Sequence, residues 1–497
     1  MKTKPSIILA LILAIFPRPQ AEIFSQNGRA PLLEPDAKAL EYFNLGRRGG
    51  YSWQELAEIS LWASSGDSSP ANFEKIRSAV TALNNSNELP SSGRERAEFI
   101  LTYMHRNILR SYSLYQTRID TIFSNGNYNC VSSAVLYVIL CESAGVQTSG
   151  VITRDHALVM VHIDGQDIDV ETTNRGGFDP GNRRDFHDQF GRLTGFSYVP
   201  ARNYRDRQTI GKIELVSLIL NNRIAELERA NRYAEAVPLS ISRAALLSGD
   251  SPADSAAAYS SESLFEDPRK NLMDRLFNYG VFLLRANREE DGLTWAAAAS
   301  SRYPDNERWQ EFILTAVNNR TARFLRERKT AEARNFLESN KTLLTAASYA
   351  QIDAVLIDAE LLNGANGINS VRDADTVISA VEQARSEGRL AERRASELII
   401  YAIQKTAAVL CAAPARDWRA AIRYIEVSIE RFGSSRELEQ LLRTYTGNLA
   451  TEYHNRFAAE WNRRNYGEAE RILNEALAEF PDNRQLLTDR ETVNRRR

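Results

Sequence analysis

At 497 residues the chain is long enough for more than one domain. A formal net charge of −2 and an isoelectric point of about 6.3 exclude the basic surface that nucleic-acid binding requires. Three cysteines are too few for a disulfide framework, and no Cys/His spacing suits a zinc site, so no metal or cofactor is expected.

Residues 1–21 read as a signal peptide. Lys2 and Lys4 precede the apolar run Ile7 to Phe16, then Pro17, Pro19 and Ala21, with cleavage near Ala21. The run is too short to span a bilayer comfortably, and no cysteine follows it for lipid attachment. Export to the periplasm or the cell exterior is expected, with no stable membrane span after cleavage. Helical apolar spacing then covers Asp36 to Leu45, Ser52 to Ala63, Phe73 to Asn84 and Arg94 to Leu109. Breaks fall at Gly49-Gly50, between Ser64 and Pro70, and between Pro90 and Gly93.

Asn125-Gly126 marks a turn, and Cys130 follows at the start of the apolar run Val131, Ala134, Val135, Val138 and Ile139. That run reads as a buried helix closed by Gly145. Unpaired N–H groups and the positive end of the helix dipole favour a thiolate at Cys130. Cys141 and Cys411 read as small buried apolar residues.

His156 opens a stretch of β-formers that ends at Asp164-Gly165, a two-residue hairpin signal, with the return strand over Gln166 to Thr173. With that turn, Ile163 pairs with Gln166 and Leu158 with Glu171. His156, Asp169 and Glu171 then share a face. A carboxylate beside an imidazole fixes its tautomer, and the imidazole can deprotonate a thiol. His162 falls on the same face and His187 further on; a lone histidine carries no mechanism, so packing or surface roles are expected for both.

The order Cys130, His156, then an acid in Val170-Glu171-Thr172-Thr173 resembles the transglutaminase-like superfamily, a branch of the papain-like cysteine enzymes. In that family the acid falls in a Val-Asp-Pro-Thr type segment. The matching residue is Glu171, with Asp169 as second candidate; Glu for Asp and the missing proline depart from the pattern. The resemblance implies an α+β papain-like domain over residues 22–210 and acyl transfer through a Cys-His-acid triad on a protein or peptide substrate. The oxyanion would be held by the Cys130 N–H, with Gln116 as a candidate second donor.

From Ile213 the sequence turns rich in Ala, Leu, Glu and Arg and repeats itself. Asn222-Arg223 leads to Glu235-Ala236, Asn319-Arg320 to Glu332-Ala333, and Asn455-Arg456 to Glu468-Ala469, each with a step of thirteen residues. Tyr303-Pro304-Asp305-Asn306 and Phe480-Pro481-Asp482-Asn483 are near copies. Residues 211–497 therefore resemble degenerate tetratricopeptide repeats, implying an all-α array that binds a protein partner. The spacing between copies exceeds the family's. The competing reading is an inactive exported scaffold in which only the repeats bind.

Overall fold

The structure, a computed structural model, describes residues 33–66, 69–181, 184–195, 207–250, 263–304, 306, 308–414 and 416–496. The signal segment proposed over 1–21 lies outside them. The chain divides into two compact units, Met1–Trp309 and Gln310–Arg497.

The first unit opens with α1 (Ala37–Gly46), α2 (Trp53–Ser65), α3 (Pro70–Asn84) and α4 (Gly93–Asn107). Local chemistry sets their starts. The Asp36 side chain caps α1, Ser52 and Glu55 form a reciprocal capping box on α2, and Ser92 caps α4. β1 (Ser111–Tyr112), α5 (Ile119–Asn125) and β2 (Asn127–Tyr128) lead into α6 (Cys130–Ser143). Every residue of α6 from Cys130 to Cys141 is buried. The helix packs against α2, α4 and the strands β3 (Gln147–Ile152) and β4 (Ala157–Ile163). Apolar all round, it can only be a central helix.

β5 (Gln166–Val170), α7 (Arg184–Thr194) and β6 (Gln208–Ile210) complete an antiparallel sheet of order β5-β4-β3-β6. Ile163 pairs with Gln166 as expected, and the ladder closes at Val159 opposite Val170, one step short of Leu158 and Glu171. Asp164 and Gly165 both take positive φ, 51° and 76°, as a primed two-residue turn demands. This unit is thus α+β.

α8 (Lys212–Arg229), α9 (Tyr233–Ser248), α10 (Pro268–Arg285) and α11 (Glu289–Arg302) follow. Leu215, Val216, Ile219, Leu220 and Ile224 of α8 join the same core as α6, with Ala236 and Leu246 of α9. The first unit therefore runs well past residue 210, where the composition changes. Apolar spacing along α8 is matched to a face of α6 and β3 rather than to a separate domain.

The second unit begins within α12 (Arg308–Arg326) and continues through α13 (Thr330–Ser339), α14 (Ala346–Asn366), α15 (Val371–Ser386) and α16 (Glu392–Leu410). It ends with α17 (Trp418–Phe432), α18 (Arg436–Asn462), α19 (Tyr466–Glu479) and α20 (Arg484–Arg496). Among the described residues no strand follows Ile210. The pairs α8–α9, α10–α11, α12–α13 and α18–α19 share one turn. Asn231, Asn287, Arg328 and Arg464 take φ of 58° to 65°. In each, the next residue's N–H donates to the carbonyl five positions back: Leu227, Leu283, Phe324 and Glu460. Each thirteen-residue module starts on the first helix of its pair and ends on the second, where Ala236, Ala333 and Ala469 are buried.

Candidate functional site

Cys130 is the first residue of α6. Asn129 caps the helix: its side chain accepts from the Ser132 N–H at 3.0 Å, and Ser132 Oγ accepts from the Asn129 N–H at 3.0 Å. The first N–H groups of the helix have no acceptor within it.

His156 lies one residue before β4, at the close of a tight turn in which the Thr153 N–H donates to the His156 carbonyl at 2.9 Å. Its Nε2 stands 2.7 Å from Glu171 Oε2. Its Nδ1 is sealed from solvent, and the ring hydrogen-bonds Cys130. Burial alone would push the imidazole's pKa down. The charges of Glu171 and Cys130, with the hydrogen bonds to both, outweigh it and raise the pKa well above the ordinary value. The charged form of the ring is therefore favoured.

Glu171 is fully buried, one residue past β5. Its Oε1 accepts from the Thr173 N–H at 3.1 Å and from Thr173 Oγ1 at 2.7 Å, so both carboxylate oxygens are engaged. The segment after it is pinned from three sides. Tyr128 Oη donates to the Thr173 carbonyl at 3.1 Å. Ser133 and Thr172 hydroxyls meet at 2.9 Å, and His105 Nε2 of α4 lies 2.9 Å from the Thr172 carbonyl. Burial pushes the His105 pKa down, which keeps it neutral and leaves Nε2–H as the donor.

The other sequence candidates go elsewhere. Asp169 forms a two-point ion pair with Arg207, whose Nη1 is 2.7 Å from Oδ2. Gln116, proposed as a second oxyanion donor, turns its amide to Thr121 Oγ1 and to the Arg118 carbonyl at 3.2 Å; it does not line the cleft at Cys130. His162 bridges Ser149 Oγ and Asp167 Oδ1, each at 2.7 Å. His187 Nε2 meets the Gly181 carbonyl at 3.2 Å. Cys141 is buried, and burial pushes its thiol pKa up. Cys411 is only half-buried, at the C-cap of α16, because it ends a helix rather than facing its neighbour.

Sequence reasoning missed Phe190 of α7, whose ring meets that of His156 edge-on at 5.1 Å. The loop before α7 gives no periodicity from which to place it. Thr173 did leave a signal: a hydroxyl residue two positions after a carboxylate favours a local turn bond.

A cleft of about 530 Å³ opens on Cys130 and His156. Tyr115 and Asn129 line one wall; Asn222, Glu226 and Arg229 of α8 line the other. Arg229 stacks over the Tyr115 ring at 5.0 Å, and the Asn222 amide donates to Thr117 Oγ1 at 3.1 Å, so the walls touch at the rim. Among the described residues no group of three or more His, Cys, Asp or Glu could hold a metal ion, and no helix is long and apolar enough to cross a membrane. The chain matches no family model and no curated protein.

Proposed function

We propose that this chain is a transglutaminase-like thiol acyl-transferase with a papain-like first domain. The observation that carries the reading is the unbroken line from Cys130 through the His156 ring to a fully buried Glu171 at 2.7 Å. Three residue types in that relation make a nucleophile, its base and the orienter of the base.

The Cys130 sulfur attacks a carboxamide or peptide carbonyl that enters the cleft. The developing oxyanion takes the N–H of Cys130. Imidazolium His156 gives its proton to the departing amine or ammonia, leaving an acyl-enzyme. Neutral His156 then takes a proton from the acceptor, an amine or water, and the thiol is released as the proton returns. Glu171 holds the ring through its contact with Nε2. Its longer side chain is accommodated because the strand ends before it, at Val170.

The helical pairs are read as degenerate tetratricopeptide-like hairpins that bind a protein partner. Recurrence of one αL turn in four pairs supports this. Export through residues 1–21 completes the proposal.

A product assay tests the reaction. The reduced chain is incubated with an unfolded glutamine-rich protein and a primary amine. Ammonia release with amine incorporation assigns transfer to an amine; new N-termini assign proteolysis; ammonia alone assigns deamidation. No product of any kind from the folded chain would contradict the reading.

A further inference from the structure

One buried phenol beside the thiol is used by no step above. Tyr112 of β1 pairs with Tyr128 of β2 in parallel register, locked by the Ser113 N–H donating to the Tyr128 carbonyl at 2.8 Å. Their rings meet edge to face at 6.0 Å and 84°. β2 runs directly into Asn129 and Cys130, so β1 delivers Tyr112 to the flank of the nucleophile. Its Oη is buried and, among the described residues, has no hydrogen-bond partner. A buried hydroxyl in that condition is costly and needs a reason.

Three groups act on it, Cys130 foremost, then Glu171 and Tyr128, whose hydroxyl is turned to the Thr173 carbonyl. Glu171 is already supplied with donors, by His156 on one oxygen and twice by Thr173 on the other. Among the described residues, the sulfur of Cys130 has one hydrogen-bond partner, the imidazole. We propose that Tyr112 donates its phenolic hydrogen to the Cys130 sulfur when the thiolate forms, stabilising the nucleophile as an anion. No proton is transferred and no covalent bond changes. Burial, with Cys130 and Glu171 nearby, pushes the phenol's pKa up, so it remains a donor throughout the working range. Tyr112 thus acts on the reacting sulfur itself. The inference rests on the acyl-transfer reading for the use the thiolate is put to.

Around the thiol, His156 from the turn before β4 bonds the sulfur, Glu171 past β5 bonds His156, and Tyr128 from β2 bonds the Thr173 carbonyl. Arg154 and Asp155 line the cleft, and His105 and Arg175 lie beyond Thr172. None of them changes when Tyr112 is replaced by Phe, so the test isolates the hydroxyl. The full reduced chain is alkylated with iodoacetamide from pH 5 to 10, and modification of Cys130 is followed by peptide mass. Tyr112→Phe is expected to slow the reaction about tenfold at pH 6, the size of one pKa unit, with the two profiles converging near pH 9.5. Thermal stability should stay level or rise, since the resting state loses no bond. Tyr137→Phe, two turns along α6, which loses its bond to the Ala97 carbonyl, should lower stability and leave the profile in place.

A Tyr112→Phe profile that superimposes on that of the original chain overturns the inference. So does an equal displacement by Tyr137→Phe, which would mark it as packing. Should Tyr112→Phe fail to fold, 3-fluorotyrosine at position 112 keeps ring and hydroxyl with a more acidic phenol. It should speed the reaction at pH 6, and an unchanged rate overturns the inference. If Cys130 of the original chain reacts at pH 6 no faster than a free thiol, the acyl-transfer reading itself fails. A fast Cys130 that is indifferent to Tyr112 removes this inference alone.

Discussion

Two carboxylates two residues apart, Asp169 and Glu171, meet opposite fates because one lies within the strand and the other just past its end. Asp169, paired with Met160 in the ladder, reaches Arg207. Glu171 turns inward to His156. Glu171→Gln removes the charge that holds the imidazolium, and the rate of acyl transfer should fall at least about a hundredfold. Asp169→Asn should leave that rate within about twofold and cost about 1 kcal/mol of stability, because its partner Arg207 stays partly solvated. Single-turnover acylation and urea unfolding separate the two. His105 carries a pH signature of the opposite sign to His156. Its pKa is lowered in the folded chain, so the unfolded chain binds the proton more readily. Stability is full above the unfolded value of about 6.5 and is lost as pH falls below it. Urea unfolding between pH 6.5 and 5.5 should show a decline in the original chain that His105→Gln lacks.

The elements that carry the site differ in how plainly the sequence announces them. α6 is legible because twelve successive buried residues follow a capping asparagine. The β4–β5 hairpin is legible because Asp164-Gly165 admits one turn, and parity then puts His156 and Glu171 on one face. Asp169 shares that parity, so the choice between acids came from the family segment and not from spacing. β1 and β2 have two residues each, too few for any period, and so Tyr112 was invisible. β6 has three residues and pairs along the edge of β3. The loop after β5 turns on Gly177, where an added Cβ would stand 2.0 Å from the Glu171 carbonyl oxygen. Backbone cannot yield as a side chain can. Gly177→Ala should destabilise the fold by about 1–3 kcal/mol and slow acylation by displacing Glu171, read by unfolding and by single-turnover rate.

At the scale of the molecule, α8 is both core and cleft wall. It seals α6 with five apolar residues and presents Asn222, Glu226 and Arg229 to the entrance of the site. A chain cut after residue 210 exposes that core face and should fail to fold, whereas one cut after residue 309 should unfold cooperatively and keep a reactive Cys130. Circular dichroism on heating distinguishes them. The central claim is that Cys130 is an acylating thiol in a full triad. Its most direct measurement is covalent labelling of the folded, reduced full-length chain by a thiol-directed acyl probe, with Cys130→Ala and Cys141→Ala beside it. The account predicts labelling of the original chain and of Cys141→Ala, and none of Cys130→Ala with its fold intact. Equal labelling of the original chain and of Cys130→Ala, or no labelling of any folded form, would contradict it.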